Sequence, residues 1–407
     1  MKKLEIFKDI GKTNSYLIVF LAFSLPLSVA GVNAALIFMA LFFLYERAYR
    51  ERFLSIKKNP FVYLMIAIVV MHVVGCLWSD NMAVAMGGLG KVKKYFWIPF
   101  LMMYVKKEHI VYYFQGFILG MMISEVLTYL VWLDVIPFFG YANEEFPSPL
   151  MKHFDYTVYA AMALFLLLYL LLFKKEKSKG KKSIAIFFTL TMLLNLFFTG
   201  GRAGQVGFFI LLLALILNYF KGRVVKGISV FTLVSFLMFF LSYQFIPLFK
   251  ARVDKGVNAV THFQPGTQTT SLGMRFGLNI NYYTIFKEHP LMGVGTGDYI
   301  DEYRKVNEKS LYKTPVMNPH NMYMLMAVQF GIFGLIIFLL PFLYQIYYGI
   351  KIKDDLQVMR IAFPIFFLAI MLVYWYLYAF KTLMLFVFFS AILYHQYDSK
   401  VKILEEE

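Results

Sequence analysis

The chain has 407 residues, 60% of them hydrophobic, and a formal net charge of +16. Repeated apolar stretches long enough to cross a bilayer exclude a soluble globular protein, and strands of a barrel would alternate, so the expectation is an all-α integral membrane protein. The single Cys76 excludes a disulfide framework, and the basic surplus reads as the lysine and arginine that set membrane topology, not as a surface for nucleic acid.

Hydropathy predicts about twelve spans: 16–30, 33–46, 61–78, 91–105, 110–133, 155–173, 183–199, 203–220, 226–247, 320–348, 359–378 and 381–396. The segment "SLPLSVA" at 24–30 has small residues suited to a processing site but reads as part of an uncleaved first span, and the later topology is the same either way. With Lys2, Lys3, Lys8 and Lys12 in the cytoplasm, "ERAYRERFLSIKKNP", "KKEH", "KKEKSKGKK" and "KGRVVK" also fall inside. The other side receives "WSDNMAVAMGGLG", the acidic "YANEEFPSPLMKHFD" and the long stretch 248–319. Three regions follow: helices 1–9 over 1–247, an outer loop over 248–319, and helices 10–12 over 320–407.

Against this rule, several cations gather on the outer side. Lys91, Lys93 and Lys94 stand where the fourth span enters, and headgroup anchoring accounts for at least one of them. Arg202 sits in a tight turn among Gly200, Gly201 and Gly204 at a helix start, a combination that suits a phosphate, although close helix packing also demands glycine. Arg275 lies in the long loop. His153 and Asp155 flank the sixth span and are candidates for polar substrate. Glu125, in mid-span, must face the bundle and find a partner, with a structural hydrogen bond or a catalytic role both open. His72 reads as a packing residue. In "NPHN", Pro319 and Asn321 bracket His320, whose ordinary pKa near neutrality suits a general base.

The motifs resemble those of bacterial O-antigen ligases and the related O-antigen polymerases. His320-Asn321 is followed by nine residues and then Gly331-Ile332-Phe333-Gly334. The stretch "FKEHPLMGVGTGDY" at 286–299 is similar to the family's His/Asn-Pro-Leu-x-Gly-Val-Gly segment, and "TGGRAG" resembles its Thr-Gly-Ser-Arg-Gly element. Arg275 matches the loop arginine. Two positions depart: the family's serine is Gly201 here, and an aromatic four places after the loop arginine is Asn279.

The resemblance implies a glycosyltransferase at the periplasmic face of the bacterial inner membrane. Its donor would be a glycan on undecaprenyl diphosphate and its acceptor the lipid A core oligosaccharide. It implies catalytic roles for His320, Arg202 and Arg275, and substrate contacts by Lys91, Lys93, Lys94, Asn321, Gly201 and His153. Fixed cations suit a diphosphate leaving group, and the chain contains no Asp-x-Asp, so a transfer without metal or other cofactor is expected, with inversion at the anomeric carbon. The rivals are a polymerase, which uses a growing glycan as acceptor, and a transporter or flippase for a lipid-linked anion. The one large outer loop and the complete histidine motif favour the ligase.

Overall fold

The computed structural model describes residues 9–174, 178–266 and 270–396; Lys2, Lys3, Lys8 and residues 175–177 of the "KKEKSKGKK" loop lie outside the described residues. Among the described residues every regular element is helical. In chain order these are α1 (Ile10–Leu27), α2 (Val29–Glu46), α3 (Tyr49–Ile56), α4 (Pro60–Val74), α5 (Met82–Val92), α6 (Trp97–Met102), α7 (Ile110–Trp132), α8 (His153–Phe173) and α9 (Lys179–Phe198). They continue as α10 (Arg202–Tyr219), α11 (Val224–Phe245), α12 (Pro247–Thr261), α13 (Ser271–Glu288), α14 (Tyr299–Lys309), α15 (Met322–Lys351), α16 (Gln357–Ile370) and α17 (Phe380–Leu393). The chain is an all-α integral membrane protein.

Nine of the described helices are long and apolar enough to cross a membrane, and they fall on nine of the twelve predicted spans. The other three spans take a different form. The fourth, 91–105, breaks into the end of α5, a 3₁₀ turn over Lys93–Phe96 and the short α6. Gly87, Gly88 and Gly90 weaken α5, and Pro99 removes a backbone donor from α6. The eleventh and twelfth become the 14-residue helices α16 and α17, separated by the non-helical, aromatic-rich stretch 371–379. That stretch is held in place by the start of α15, where the Met322 N–H donates to the Met371 carbonyl at 2.9 Å.

Helix α8 is the centre of the bundle and is largely buried, whereas α11 lies at the periphery and is almost wholly exposed. Helices α7, α9, α10 and α17 pack around α8, and α10 is in turn sandwiched against α16. The close approach of α10 to α8 depends on Gly201 and Gly204. A Cβ on Gly201 would stand 2.0 Å from Thr157 Oγ1, and one on Gly204 would stand 2.3 Å from the Thr157 backbone.

The 248–319 segment is largely helical, built from α12, α13 and α14. Two devices fix it to the bundle. The Asp298 carboxylate accepts from the backbone N–H groups of Asp80 and Asn81 at 2.9 and 2.8 Å. Residues 290–295 replace part of the internal bonding of α15. An unbroken helix would carry bonds from Ile332 to the Val328 carbonyl and from Phe333 to the Gln329 carbonyl. Instead Ile332 donates to the Pro290 carbonyl (2.9 Å), and the freed carbonyls of Val328 and Gln329 accept from Val294 (2.9 Å) and Gly295 (2.8 Å). Gly331 makes the break, with φ 64° and ψ −160°. A Cβ there would lie 2.1 Å from the Leu291 carbonyl oxygen, so backbone conformation and space both require glycine.

Gly331→Ala is therefore expected to cost about 2–3 kcal/mol and to lower the thermal unfolding midpoint of the purified protein. Gly87→Ala, on an exposed face of α5 where a Cβ meets nothing within 4 Å, is expected to leave the midpoint unchanged or raise it, by roughly 0.5–1 kcal/mol. Equal effects of the two would show that the break in α15 carries no special constraint.

Candidate active site

The polar residues of the site converge where α15 begins. Asn321 is the N-cap: its side chain accepts from the N–H groups of Tyr323 (3.0 Å) and Met324 (3.2 Å). The Tyr323 hydroxyl donates to the Leu368 carbonyl, which ties this helix end to α16. His320, one residue before the cap, has φ 45°. Left-handed backbone at a non-glycine residue costs on the order of 1–3 kcal/mol and persists only where the surroundings impose it. Here Pro319 stiffens one side and the cap fixes the other. The imidazole lies 5.2 Å, centroid to centroid, from the Tyr374 ring. Its Nδ1 is buried and has no hydrogen-bond partner among the described residues. Burial, with the charge of Arg275 adding to it, pushes the imidazole down from 6.5 to about 4, so it is neutral at physiological pH.

The arginine turn is built next to this helix end. Gly200 has φ 76°, and the position of its missing Cβ is 1.2 Å from Arg252 Nη1, so the guanidinium of Arg252 lies directly against the turn. Arg202 opens α10, is exposed, and donates from Nη2 to the Arg252 carbonyl at 3.1 Å. The other side of Arg252 faces the Phe146 ring at 5.0 Å. His153 stacks on Phe146 with centroids 3.7 Å apart and ring planes 11° from parallel. Phe154, next in sequence, contacts Tyr374 at 4.9 Å. A continuous line of contacts thus joins the arginine turn to His320.

Arg275, half-buried on α13, closes the group. Burial lowers its pKa, Tyr376 opposes that change, and the charge of Arg202 reinforces it. One turn on, Asn279 donates to the Arg275 carbonyl at 2.8 Å and leaves a buried Oδ1 with no partner among the described residues. From the other side, Lys91 Nζ lies 4.5 Å from the Trp375 ring and 5.2 Å from the Tyr378 ring, and Lys94 lies 5.9 Å from Phe380. Their charges therefore border the same aromatic stretch that carries Tyr374.

Most of the expected residues come together, with distinctions the sequence did not draw. His320, Arg202, Arg275, His153, Lys91 and Lys94 join one contiguous region. Lys93 is exposed, and among the described residues no contact ties it to the aromatic stretch. Asn321 Oδ1 is committed to the helix cap, so its contribution is to aim His320. Gly201 is buried against α8 and acts by allowing close approach, which explains the missing serine: a side chain there would meet Thr157. His72 packs as expected, donating from Nδ1 to the Ile68 carbonyl (2.7 Å) and accepting from the Tyr378 hydroxyl. Glu125 is buried in the bundle, but neither of its oxygens has a hydrogen-bond partner among the described residues.

Sequence reasoning missed Arg252, the Glu145–Phe146 pair and the aromatic run 374–380. The run "YWYLYAF" did carry a signal, since tyrosine and tryptophan collect at membrane interfaces and not in mid-span.

The fold and this region define a polytopic membrane protein with a cluster of cations beside a neutral imidazole, an arrangement that suits an anionic substrate. Residues 187–339 match the family model described as O-Antigen ligase. It covers the arginine turn, α12–α14 and the first half of α15. An uncharacterized protein of Haemophilus influenzae is 31% identical over 162 residues, which is 38% of this chain and 40% of that protein. The chain is thus matched over less than half the length of that curated relative.

Asn321→Ala is expected to cost about 1 kcal/mol through loss of the cap, and Asn321→Asp to restore most of it, both read from the thermal unfolding midpoint. If alanine and aspartate behave alike, the side chain is not acting as a cap.

Proposed function

We propose that the protein transfers a glycan from undecaprenyl diphosphate to a sugar hydroxyl of the lipid A core at the periplasmic face of the inner membrane, as an O-antigen ligase. The observation that carries this reading is the state of His320: neutral, aimed by a helix cap, with a buried Nδ1 that has no partner among the described residues, beside the charge of Arg275. A base has to be unprotonated and open to the proton it accepts, and its neighbours have to receive the negative charge that departs.

The chemistry follows from the two halves of the site. The acceptor hydroxyl gives its proton to the imidazole as its oxygen attacks the anomeric carbon. The bond from that carbon to the phosphate oxygen breaks, and the electron pair leaves on the diphosphate. Arg202 and Arg275 stabilise that charge with planar, multi-donor contacts, and Lys91 or Lys94 adds a point charge. Direct displacement inverts the anomeric centre. The diphosphate is a good leaving group once the arginines hold it, so no metal is required. Helices α12–α14 cover the region that receives the headgroup.

Purified protein in proteoliposomes, given lipid-linked donor, core acceptor and excess EDTA, is expected to form the covalent glycan–core product. Chain extension of the donor glycan in place of core modification would make the protein a polymerase. Movement of intact donor across the bilayer without a new bond would make it a transporter.

His320→Asn tolerates the left-handed backbone and is expected to keep folded yield while transfer falls about 10²–10⁴-fold. Normal turnover per folded molecule would remove His320 from the chemistry. The acid limb of kcat/KM supplies an independent check. Activity requires neutral imidazole and is lost as pH falls through its pKa, about 4 in the free protein. Arg275→Gln removes a charge that depresses this pKa, so the limb is expected to move to higher pH, while Arg275→Lys leaves it nearly in place.

A further inference from the structure

We infer that Arg252 is a third phosphate-binding guanidinium of this site, held in readiness by Glu145, which gives way when the diphosphate enters. The inference rests on the reading of the cluster as the diphosphate site and adds a residue and a mechanism of entry to it.

Four observations carry it. First, this guanidinium packs directly on the Gly200 turn, in the space a Cβ on that left-handed residue would occupy. Second, Arg252 lies among cations. Arg202 donates to its backbone carbonyl, and the charges of Arg252 and Arg275 both act on His153. Third, its hydrogen bonding is incomplete. Nη1 is buried without a partner among the described residues, and an arginine donor in that state is costly unless something arrives to accept from it. Fourth, its only carboxylate contact among the described residues is loose. Glu145 Oε1 stands 3.6 Å from Nη2, beyond a normal hydrogen bond, and the backbone carbonyl of Glu145 accepts at 3.4 Å.

The two partners differ in their freedom to move. The Arg252 side chain is 12% exposed and clamped between the Gly200 turn and the Phe146 ring, whereas the Glu145 side chain is 59% exposed. Asn143 holds the backbone of this loop by accepting from the N–H groups of Glu145 and Phe146, both at 3.0 Å, so the Glu145 side chain can swing out while its backbone stays. Among the described residues Arg202 and Arg275 form no ion pair, and Glu145 pairs with Arg252 alone. A diphosphate offers more charge and more acceptor atoms than this carboxylate, with geometry that matches the guanidinium fork. The exchange replaces one loose pair by several charge-assisted bonds.

The test is equilibrium binding of undecaprenyl diphosphate to the full-length protein in nanodiscs. Arg252→Gln is expected to weaken binding about tenfold or more. Glu145→Gln is expected to tighten it about two- to fivefold, because a competing partner is removed. The double variant is expected to bind like Arg252→Gln alone, since Glu145 acts only through Arg252. Parent-level binding by Arg252→Gln, with only a lower unfolding midpoint, would make Arg252 a structural strut and overturn the inference. Unchanged or weaker binding by Glu145→Gln would overturn it as well, and that variant decides the matter even if Arg252→Gln fails to fold. Arg275→Gln is the control for the site itself. If it loses binding while Arg252→Gln does not, the inference falls and the diphosphate site stands; if neither matters, the site reading is wrong.

Discussion

The hydrogen-bond exchange at Gly331 is the constraint on which the site depends. A helix in a membrane cannot leave its carbonyls unsatisfied, so a break at this depth survives only where another segment supplies the missing partners. Residues 290–295 supply them. The same contacts that repair α15 fix the 248–319 segment to the bundle, with α13 and its Arg275 on one side and α14 on the other. Above the break, the short first part of α15 carries Asn321 and His320. The Gly331–Gly334 pair and the "HPLMGVG" stretch are thus two halves of one joint. Their functional weight is indirect: they set the distance and direction between an imidazole on one chain segment and a guanidinium on another.

The second principle of the site is unbalanced charge. Arg202, Arg252 and Arg275 gather with His153 and His320, and Lys91 and Lys94 border the same aromatic stretch. Ordinary proteins pair such charges, because like charges at short range destabilise the fold. The cost is tolerable where the charges are partly hydrated, rest on aromatic rings such as Phe146, Trp375 and Tyr378, and meet an anion in the working state. Burial, with the charge of Arg275 adding to it, keeps His320 deprotonated. On the proposed reading, the cations would attract the leaving group while burial and Arg275 ready the base.

Much of this was legible in the residues. Hydropathy located nine long helices, because a membrane demands continuous apolar runs and leaves little room for exceptions. Local pattern singled out His320 and Arg202, since their neighbours Asn321, Pro319 and Gly200 constrain the backbone in readable ways, and Arg275 was reached through the family resemblance. What stayed hidden depends on partners distant in sequence. Arg252 gains its meaning from Gly200 and from Glu145, and no local pattern announces either contact. Tyr374 lay inside an apolar stretch indistinguishable by hydropathy from a span, although the chain there leaves the helix to meet the start of α15. Gly201 and Asn321 were placed in the site by adjacency, while their chemistry is consumed by packing and capping.

The most direct measurement is the position of a bound donor. A cryo-electron microscopy structure of the full-length protein in nanodiscs with undecaprenyl-diphosphate-linked sugar would locate both phosphates and the anomeric carbon. The account predicts phosphate oxygens within hydrogen-bond distance of Arg202 and Arg275, with the anomeric carbon turned toward the His320 ring. A diphosphate bound elsewhere, for example beneath Arg50 and Lys57 in the apolar groove lined by Phe43, Phe53 and Tyr63, would contradict it.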